Sequence, residues 1–191
     1  MGLDMYLSKR KYVKNWEHMK PEDRHTITIK KAGKTIVSKL PIKEVVYEAA
    51  YWRKANAIHN WFVQNVQDGE DDCRQYYVSG EQLQELVDLC KQVLKVAKTE
   101  QGKVVNGYSM SKDKNGDIVK TENLEDGVVV TNSEEVEALL PPTSGFFFGS
   151  TDIDGYFLDD IRSTVEQLEL ALSDEGSDGE YGADFTYQSS W

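Results

Sequence analysis

The chain has 191 residues, a net charge of -11, 39% hydrophobic residues, 29% charged residues and two cysteines. This length and composition predict one globular domain that buries a core without a disulfide scaffold or a transmembrane span. No apolar run approaches the roughly 18 residues of a spanning helix, and no signal-peptide pattern is seen, so we expect no membrane association and a cytoplasmic location.

The charge is distributed unevenly along the chain. Residues 1–99 contain 17 Lys and Arg against 13 Asp and Glu, whereas residues 100–191 contain 5 against 20. Two interpretations remain open. The two halves attract each other within one fold, or the acidic half imitates an anion for a basic partner.

The first half of the chain alternates between strand and helix patterns. Residues 3–7 predict a strand, and residues 25–40 predict two strands joined by a turn at residues 32–34. After Pro41, residues 42–66 lack Gly and Pro and carry apolar residues at helical spacing, which predicts one long helix. A short strand at residues 76–79 then leads into a helix at residues 81–98, capped by Ser79 or Gly80.

The second half returns to strands between residues 103 and 131, followed by a short helix that ends at Leu140. The apolar stretch GFFFGST predicts a central strand, and residues 154–172 predict the last helix. The fold class is therefore α+β, a single domain over residues 1–172 with a mostly antiparallel sheet and three or four packed helices. Residues 173–191 form an acidic tail, either disordered or docked. The tail contains four aromatic residues, Tyr181, Phe185, Tyr187 and Trp191.

Three short motifs favour ordinary turns or loops over ligand sites. The stretch AGKT lies between two predicted strands, and Thr28 stands where a phosphate loop needs its first glycine. Residues 111–122 match part of a calcium loop, but Ser111 replaces the first ligand and neither flank predicts a helix. The pair Asn115-Gly116 within them is instead a strong signal for a hairpin turn. His18 and His25 have no third ligand nearby in the sequence. We therefore predict no metal ion and no cofactor.

A polar strip on the predicted long helix is the first candidate ligand site. At about 100° per residue, Trp52, Asn56 and His59 fall within roughly 60° of arc, with Glu48 at one margin and Arg53 at the other. These side chains offer a stacking plane, an anion-directed guanidinium, an amide and a group that titrates near neutrality. The strip lines either a cleft or an internal hydrogen-bonded network.

Two carboxylates after the predicted central strand complete the candidate site. Asp152 and Asp154 would stand between a strand and a helix, where open sheets place ligands. The alternative is that Asp154 caps the helix and binds nothing. No catalytic residue is assigned. The predicted ligand-binding set is Glu48, Trp52, Arg53, Asn56, His59, Asp152 and Asp154.

Three separated blocks of the chain resemble, in the same order, a group of small proteins encoded by bacteriophages and prophages and generally of unknown function. The blocks are MGLDMYL, YWRKANAIHNWFV and LLPPTSGFFFGSTDIDGYFLDDI, and the resemblance extends from the start of the chain to about residue 172. It implies a viral accessory origin and a host-cell location. It brings no activity, cofactor or catalytic residue.

We therefore expect a stoichiometric inhibitor of a host or anti-phage defence protein. Two binding routes are open: an acidic surface that imitates nucleic acid, or capture of a nucleotide signal. The enzyme alternative is a phosphoester or nucleotide hydrolase that uses His59 with Asp152 and Asp154. We expect no direct binding to nucleic acid, and the pattern predicts no particular oligomeric state.

Overall fold

The computed structural model describes residues 2–174 and 184–191. In chain order the elements are β1 (Asp4–Tyr12), β2 (Ile29–Lys31), β3 (Lys34–Ile36), β4 (Glu44–Arg53), α1 (Asn56–Asn65), β5 (Tyr76–Val78), α2 (Gly80–Val96), β6 (Thr99–Lys112), β7 (Ile118–Val130), α3 (Ser133–Leu139), α4 (Gly155–Ser173) and β8 (Asp184–Ser190). The α+β class with mostly antiparallel strands is confirmed. Within the described ranges, no helix combines the length and the apolar character needed to cross a membrane.

The main sheet has four antiparallel strands in the order β4-β1-β8-β5. Its residues alternate between two faces, as the period of a strand requires. One face is buried against the helices and includes Met5, Leu7 and Tyr187, which have no exposed surface. The opposite face is open to solvent and carries Tyr6 and Tyr51. The fold is thus a helical layer on one side of a sheet.

The helices that cover the sheet begin with clear capping signals. Ser79 and Gln82 form a capping box at the start of α2, in which each side chain binds the other residue's backbone N–H. At the start of α4, the Asp154 carboxylate accepts hydrogen bonds from the N–H groups of Tyr156 and Phe157. The apolar stripes of α2 and α4 pack against each other and against the buried face of the sheet.

The prediction of one helix over residues 42–66 is wrong in its first half. Residues 44–53 form β4, paired with β1, and only Asn56–Asn65 are helical. The chain turns between the two elements at Lys54, whose φ of 61° is left-handed. Burial of Ala50 and Trp52 against the helices, together with the β1 ladder, decides in favour of a strand.

The stretch GFFFGST was predicted to be a central strand, and this prediction is also wrong. Residues 145–149, here called the aromatic loop, form a turn in which Phe147 has a φ of 64°. The central position next to β1 belongs instead to β8, which comes from the segment predicted as a tail. Tyr181 of that segment lies outside the described residues.

The strands β6 and β7 form a long two-stranded ribbon. Its base is anchored by the buried Val104 and Val130, whereas all residues from 106 to 124 in its outer part are exposed. Asn115-Gly116 lies in its turn, as the hairpin signal predicts. A register shift between Val105 and Tyr108 marks the point at which the ribbon leaves the body of the domain.

Candidate functional site

A cleft of about 840 Å³ lies between the ribbon, the aromatic loop and the amino-terminal ends of α1 and α4. This volume is within the range of about 300–1,000 Å³ typical of small-molecule sites. Four of the predicted ligand-binding residues line it: Arg53, Asn56, Asp152 and Asp154. The other three predicted residues, Glu48, Trp52 and His59, are not part of its lining.

Three cationic side chains line the cleft. Arg53 and Lys54 come from the end of β4 and the turn that follows, and Lys120 comes from the ribbon. The Arg53 side chain is 61% exposed, and its guanidinium is 4.0 Å from the Asp4 carboxylate. At this distance and exposure the ion pair is weak, so Arg53 remains accessible to an anion.

Exposed aromatic rings add flat apolar surface to the cleft, and besides Tyr156 of α4 they come from the ribbon and from the aromatic loop. Tyr108 lies on the ribbon and Phe147 on the aromatic loop, and both side chains are exposed. The Lys120 ammonium lies 3.4 Å from the centre of the Tyr108 ring, close enough for a cation–π contact. Phe147 also contacts the highly exposed Phe146, with ring centres 4.2 Å apart. Exposed rings grouped at a concave surface are typical of ligand sites.

The backbone beside the cleft is held in a left-handed conformation at two residues that are not glycine. These are Lys54 and Phe147, with φ angles of 61° and 64°. Leu3 joins them, since its carbonyl accepts from the Lys54 N–H at 2.8 Å and its own N–H donates to the Phe147 carbonyl at 3.4 Å. Such conformations cost about 1–3 kcal/mol each and concentrate at functional sites. The two residues therefore have fixed positions on the wall of the cleft.

Asn56 is a structural bridge between α1 and the aromatic loop. Its amide nitrogen donates to the carbonyls of Phe148 and Ser150, at 3.2 and 2.7 Å, and its oxygen accepts from the Thr143 N–H. The residue is 5% exposed. Because its hydrogen-bonding groups are occupied, Asn56 shapes the cleft and leaves ligand contact to its neighbours.

The carboxylates at the start of α4 have different roles. Asp154 caps the helix, and burial raises its pKa above the usual range. The Asp152 carboxylate accepts a hydrogen bond from the Ser150 hydroxyl. Asp160 is the most perturbed of the group, since burial, with repulsion from Asp159 and Asp154, raises its pKa to about 6. The cleft thus contains a carboxyl group that is partly protonated near neutral pH.

The ribbon is fastened to α4 at the side of the cleft. The Tyr156 hydroxyl donates to the Glu125 carboxylate, and the Asn106 amide donates to the same carboxylate at 2.6 Å. The hydrogen bond from Tyr156, followed by that from Asn106, lowers the pKa of Glu125. This contact holds the base of the ribbon beside α4 at its register shift, and Tyr108 and Lys120 line the cleft just beyond it.

His59 belongs to a buried network away from the cleft. It has no exposed surface, and its two ring nitrogens lie 2.8 Å from the Tyr187 hydroxyl and 3.1 Å from an Asp71 oxygen. Burial lowers the pKa of His59 despite the opposing effect of Asp71, and burial also raises the pKa of Tyr187. Neutral His59 therefore donates from Nε2 to Asp71 and accepts at Nδ1 from Tyr187. The Trp191 indole closes the network by donating to Asp71.

The two remaining predicted residues lie on β4. The buried Trp52 donates from its indole nitrogen to the Thr164 hydroxyl at 2.9 Å and is part of the core. Glu48 is exposed and pairs with Ser8 across the sheet. The helical arc that grouped these residues with His59 does not exist, because β4 and α1 are separate elements.

Other parts of the described structure offer fewer ionisable groups for binding or catalysis. A groove of about 360 Å³ within residues 13–42 has His25 as the one ionisable residue in its lining. In the described part of the chain, no three His, Cys, Asp or Glu side chains are grouped as a metal ion would require. Comparison of the chain with known protein families, curated proteins and solved structures finds no match.

Proposed function

We propose that this chain is an accessory protein of the bacteriophage type that inhibits a host or anti-phage defence component stoichiometrically, by capturing a nucleotide-class ligand in the cleft. One observation carries the proposal: the cleft between ribbon and body combines accessible cations with exposed aromatic rings contributed by the ribbon and by the aromatic loop. Capture without turnover is proposed because the lining, as far as the described residues form it, contains no histidine or cysteine, and no hydrogen bond orients the Asp160 carboxyl group toward a nucleophile there.

The chemistry of a nucleotide matches the two kinds of lining residue. The rings of Tyr108 and Phe147 offer surfaces on which a base stacks, at about 1–3 kcal/mol per base. The cations Arg53, Lys54 and Lys120 offer partners for phosphate oxygens. The carboxylates at the start of α4 repel phosphate and accept hydrogen bonds from hydroxyl or amino groups. We therefore expect phosphate at the cations and the sugar or base toward α4.

The hydrolase alternative has less support than capture. It requires His59 to meet Asp152 and Asp154 at one substrate. The two aspartates line the cleft, whereas His59 is fully buried with both ring nitrogens hydrogen-bonded to other groups. A buried histidine with both nitrogens occupied stabilises the fold, and it is not available as a base.

An acidic surface is the second candidate binding route. Residues 122–191 contain 17 Asp and Glu against a single basic residue, Arg162. Glu134, Glu135 and Glu137 are exposed together on α3, and none of the ion pairs within the described residues includes them. This surface is suited to a basic partner protein, and its binding would be strongly dependent on salt concentration.

The capture proposal is tested by thermal unfolding of the full chain with a panel of mononucleotides, cyclic nucleotides and dinucleotides. A ligand at 100 times its Kd stabilises the fold by about 2.7 kcal/mol. For a chain of this size that corresponds to a rise in the unfolding midpoint of roughly 5–11 °C. At least one nucleotide is expected to produce such a shift, and Mg²⁺ alone is expected to produce none.

Matched variants locate the effect within the ribbon. Lys120→Ala removes a cation from the cleft, whereas Lys112→Ala removes an exposed lysine of the same ribbon that is not part of the lining. We expect the first to abolish the nucleotide shift and the second to preserve it. Absence of a shift with every nucleotide, or equal shifts in both variants, would contradict the proposal. Charge reversal on α3 tests the acidic route separately and should leave the nucleotide shift unchanged.

A further inference from the structure

Strand β4 lies at the edge of the main sheet and is ten residues long. It pairs with β1 on one side, and no strand of the described residues pairs with it on the other. A long edge strand presents unpaired N–H and C=O groups to solvent, and these groups can accept another strand. Val46 and Tyr47 are 52% and 47% exposed, so this part of the edge is accessible.

The direction of each backbone group follows from the β1–β4 ladder. The Val13 N–H donates to the Lys43 carbonyl at 2.9 Å, which extends the ladder by one pair. Because hydrogen-bonded and outward residues alternate in an antiparallel pair, Val45 and Tyr47 face β1 together with Lys43. The backbone groups of the three alternate residues therefore face outward. These residues are Glu44, Val46 and Glu48.

The other half of the same edge is already occupied. The Tyr51 N–H donates at 2.9 Å to the side-chain oxygen of Gln167 on α4. The register of β4 with β1 also shifts after Ser8. The edge that remains open covers residues 44–48 and provides three outward pairs of N–H and C=O groups, enough for a short added strand.

The side chains of the open edge define the chemistry of its occupant. Glu44, Val46 and Glu48 alternate along the strand and therefore project from one face of the sheet. Both glutamates are exposed, and neither takes part in an ion pair within the described residues. A strand laid beside this edge would meet one apolar side chain between two negative charges.

A second copy of the chain is a poor occupant, because the outward residues Glu44, Val46 and Glu48 include no cation that could pair with either glutamate. Antiparallel pairing of two β4 edges about Val46 places Glu44 opposite Glu48 on both sides of the two-fold axis. Like charges directly opposite each other destabilise a strand pair, whereas opposite charges contribute favourably. We propose that the open edge of β4 binds an extended segment of a partner protein by strand addition, with Lys or Arg two residues before and two residues after an apolar residue. This surface is separate from the nucleotide cleft.

The test uses the ¹⁵N-labelled full chain and a blocked synthetic peptide, Thr-Lys-Thr-Val-Thr-Lys-Thr, as the probe. Amide chemical shifts are expected to change with peptide concentration in residues 44–48 and in the adjoining residues of β1. Val46→Pro removes an outward N–H without removing a hydrogen bond of the β1 ladder, and proline is tolerated at such edge positions. We expect it to abolish binding. Val46→Thr keeps the N–H, so this variant should still bind the peptide.

A charge exchange supplies an independent criterion. The double variant Glu44→Lys with Glu48→Lys should bind the lysine peptide at least about tenfold more weakly, and should gain affinity for the same peptide with Glu in place of Lys. The proposal is overturned if the lysine peptide leaves residues 44–48 unperturbed, if shifts appear only at the cleft, or if Val46→Pro binds as well as Val46→Thr. Self-association of the parent chain through this edge would also overturn it.

Discussion

The variant Tyr187→Phe tests the buried network around His59. Tyr187 has no exposed surface, its ring is stacked on Phe62 with centres 3.9 Å apart, and its hydroxyl is 2.8 Å from His59 Nδ1. Phenylalanine keeps the ring and the stack and removes only the hydroxyl. Because Nε2 donates to Asp71, Nδ1 becomes a buried acceptor without a donor. Such a loss costs about 1–3 kcal/mol.

For a chain of this length, that cost lowers the unfolding midpoint by roughly 2–12 °C. Urea unfolding and thermal unfolding at pH 7.5 or above, where His59 is neutral in both folded and unfolded chains, measure it directly. Tyr77→Phe removes a hydroxyl from a 62% exposed tyrosine of the same sheet and should change stability by less than about 0.5 kcal/mol. Equal effects of the two variants would refute the assignment of Tyr187 as the donor to His59.

Three further predictions concern strand β8, His59 and the cleft residue Asp160. A chain that ends at residue 183 lacks β8, the strand that joins β1 to β5 in the main sheet. It should show no cooperative unfolding transition by circular dichroism, because the loss removes the centre of the sheet. A cooperative transition would count against the sheet order. Because burial lowers the pKa of His59 in the folded chain, unfolding takes up a proton at mildly acidic pH. The free energy of unfolding is therefore highest above about pH 6.5 and falls as pH decreases toward the folded-state pKa, by up to about 1.4 kcal/mol per pH unit. The variant His59→Gln should lack this slope. Burial raises the folded-state pKa of Asp160 to about 6, above the usual range of an aspartate, so its ionised form is disfavoured in the fold. Stability is therefore lost as pH rises from the unfolded-state pKa through the folded-state pKa. In urea unfolding at pH 7, Asp160→Asn should therefore have a free energy of unfolding higher than that of the parent by on the order of 1–3 kcal/mol, and this gain should be absent below about pH 4. Equal free energies at pH 7 would indicate that Asp160 is well hydrated.

Local sequence signals predicted the elements whose ends are marked by capping or turn residues. The helix after Ser79, the helix after Asp154 and the turn at Asn115-Gly116 follow from side chains that bind backbone groups nearby or tolerate a tight turn. Each of these interactions lies within a few residues of the sequence. Such elements can be recognised without knowledge of the tertiary structure.

The division between β4 and α1 has no such local signal. The stretch VVYEAAYWRKANAIHNWF contains neither Gly nor Pro, and its chain reversal occurs at a lysine with a left-handed φ. Lys54 holds this conformation because its N–H donates to Leu3 and its carbonyl accepts from Asn56. The contact with Leu3 joins positions 51 residues apart, so the pattern of apolar residues around Lys54 could not reveal it.

The candidate site was predicted in part, and for different reasons than the structure gives. Arg53, Asn56, Asp152 and Asp154 do line one cleft, although the helical arc that suggested the first two does not exist. The contribution of the ribbon was missed. Tyr108 and Lys120 come together across the hairpin, and only its register reveals that they share a face.

The central claim is that a nucleotide-class ligand binds between the ribbon and the aromatic loop. Amide chemical-shift mapping of the full chain with the nucleotide that shifts the unfolding midpoint most would test it directly. We predict concentration-dependent shifts in residues 53–58, 105–108 and 144–152, with residues 76–78 unchanged. Shifts confined to other surfaces, or none at a saturating nucleotide concentration, would contradict the claim.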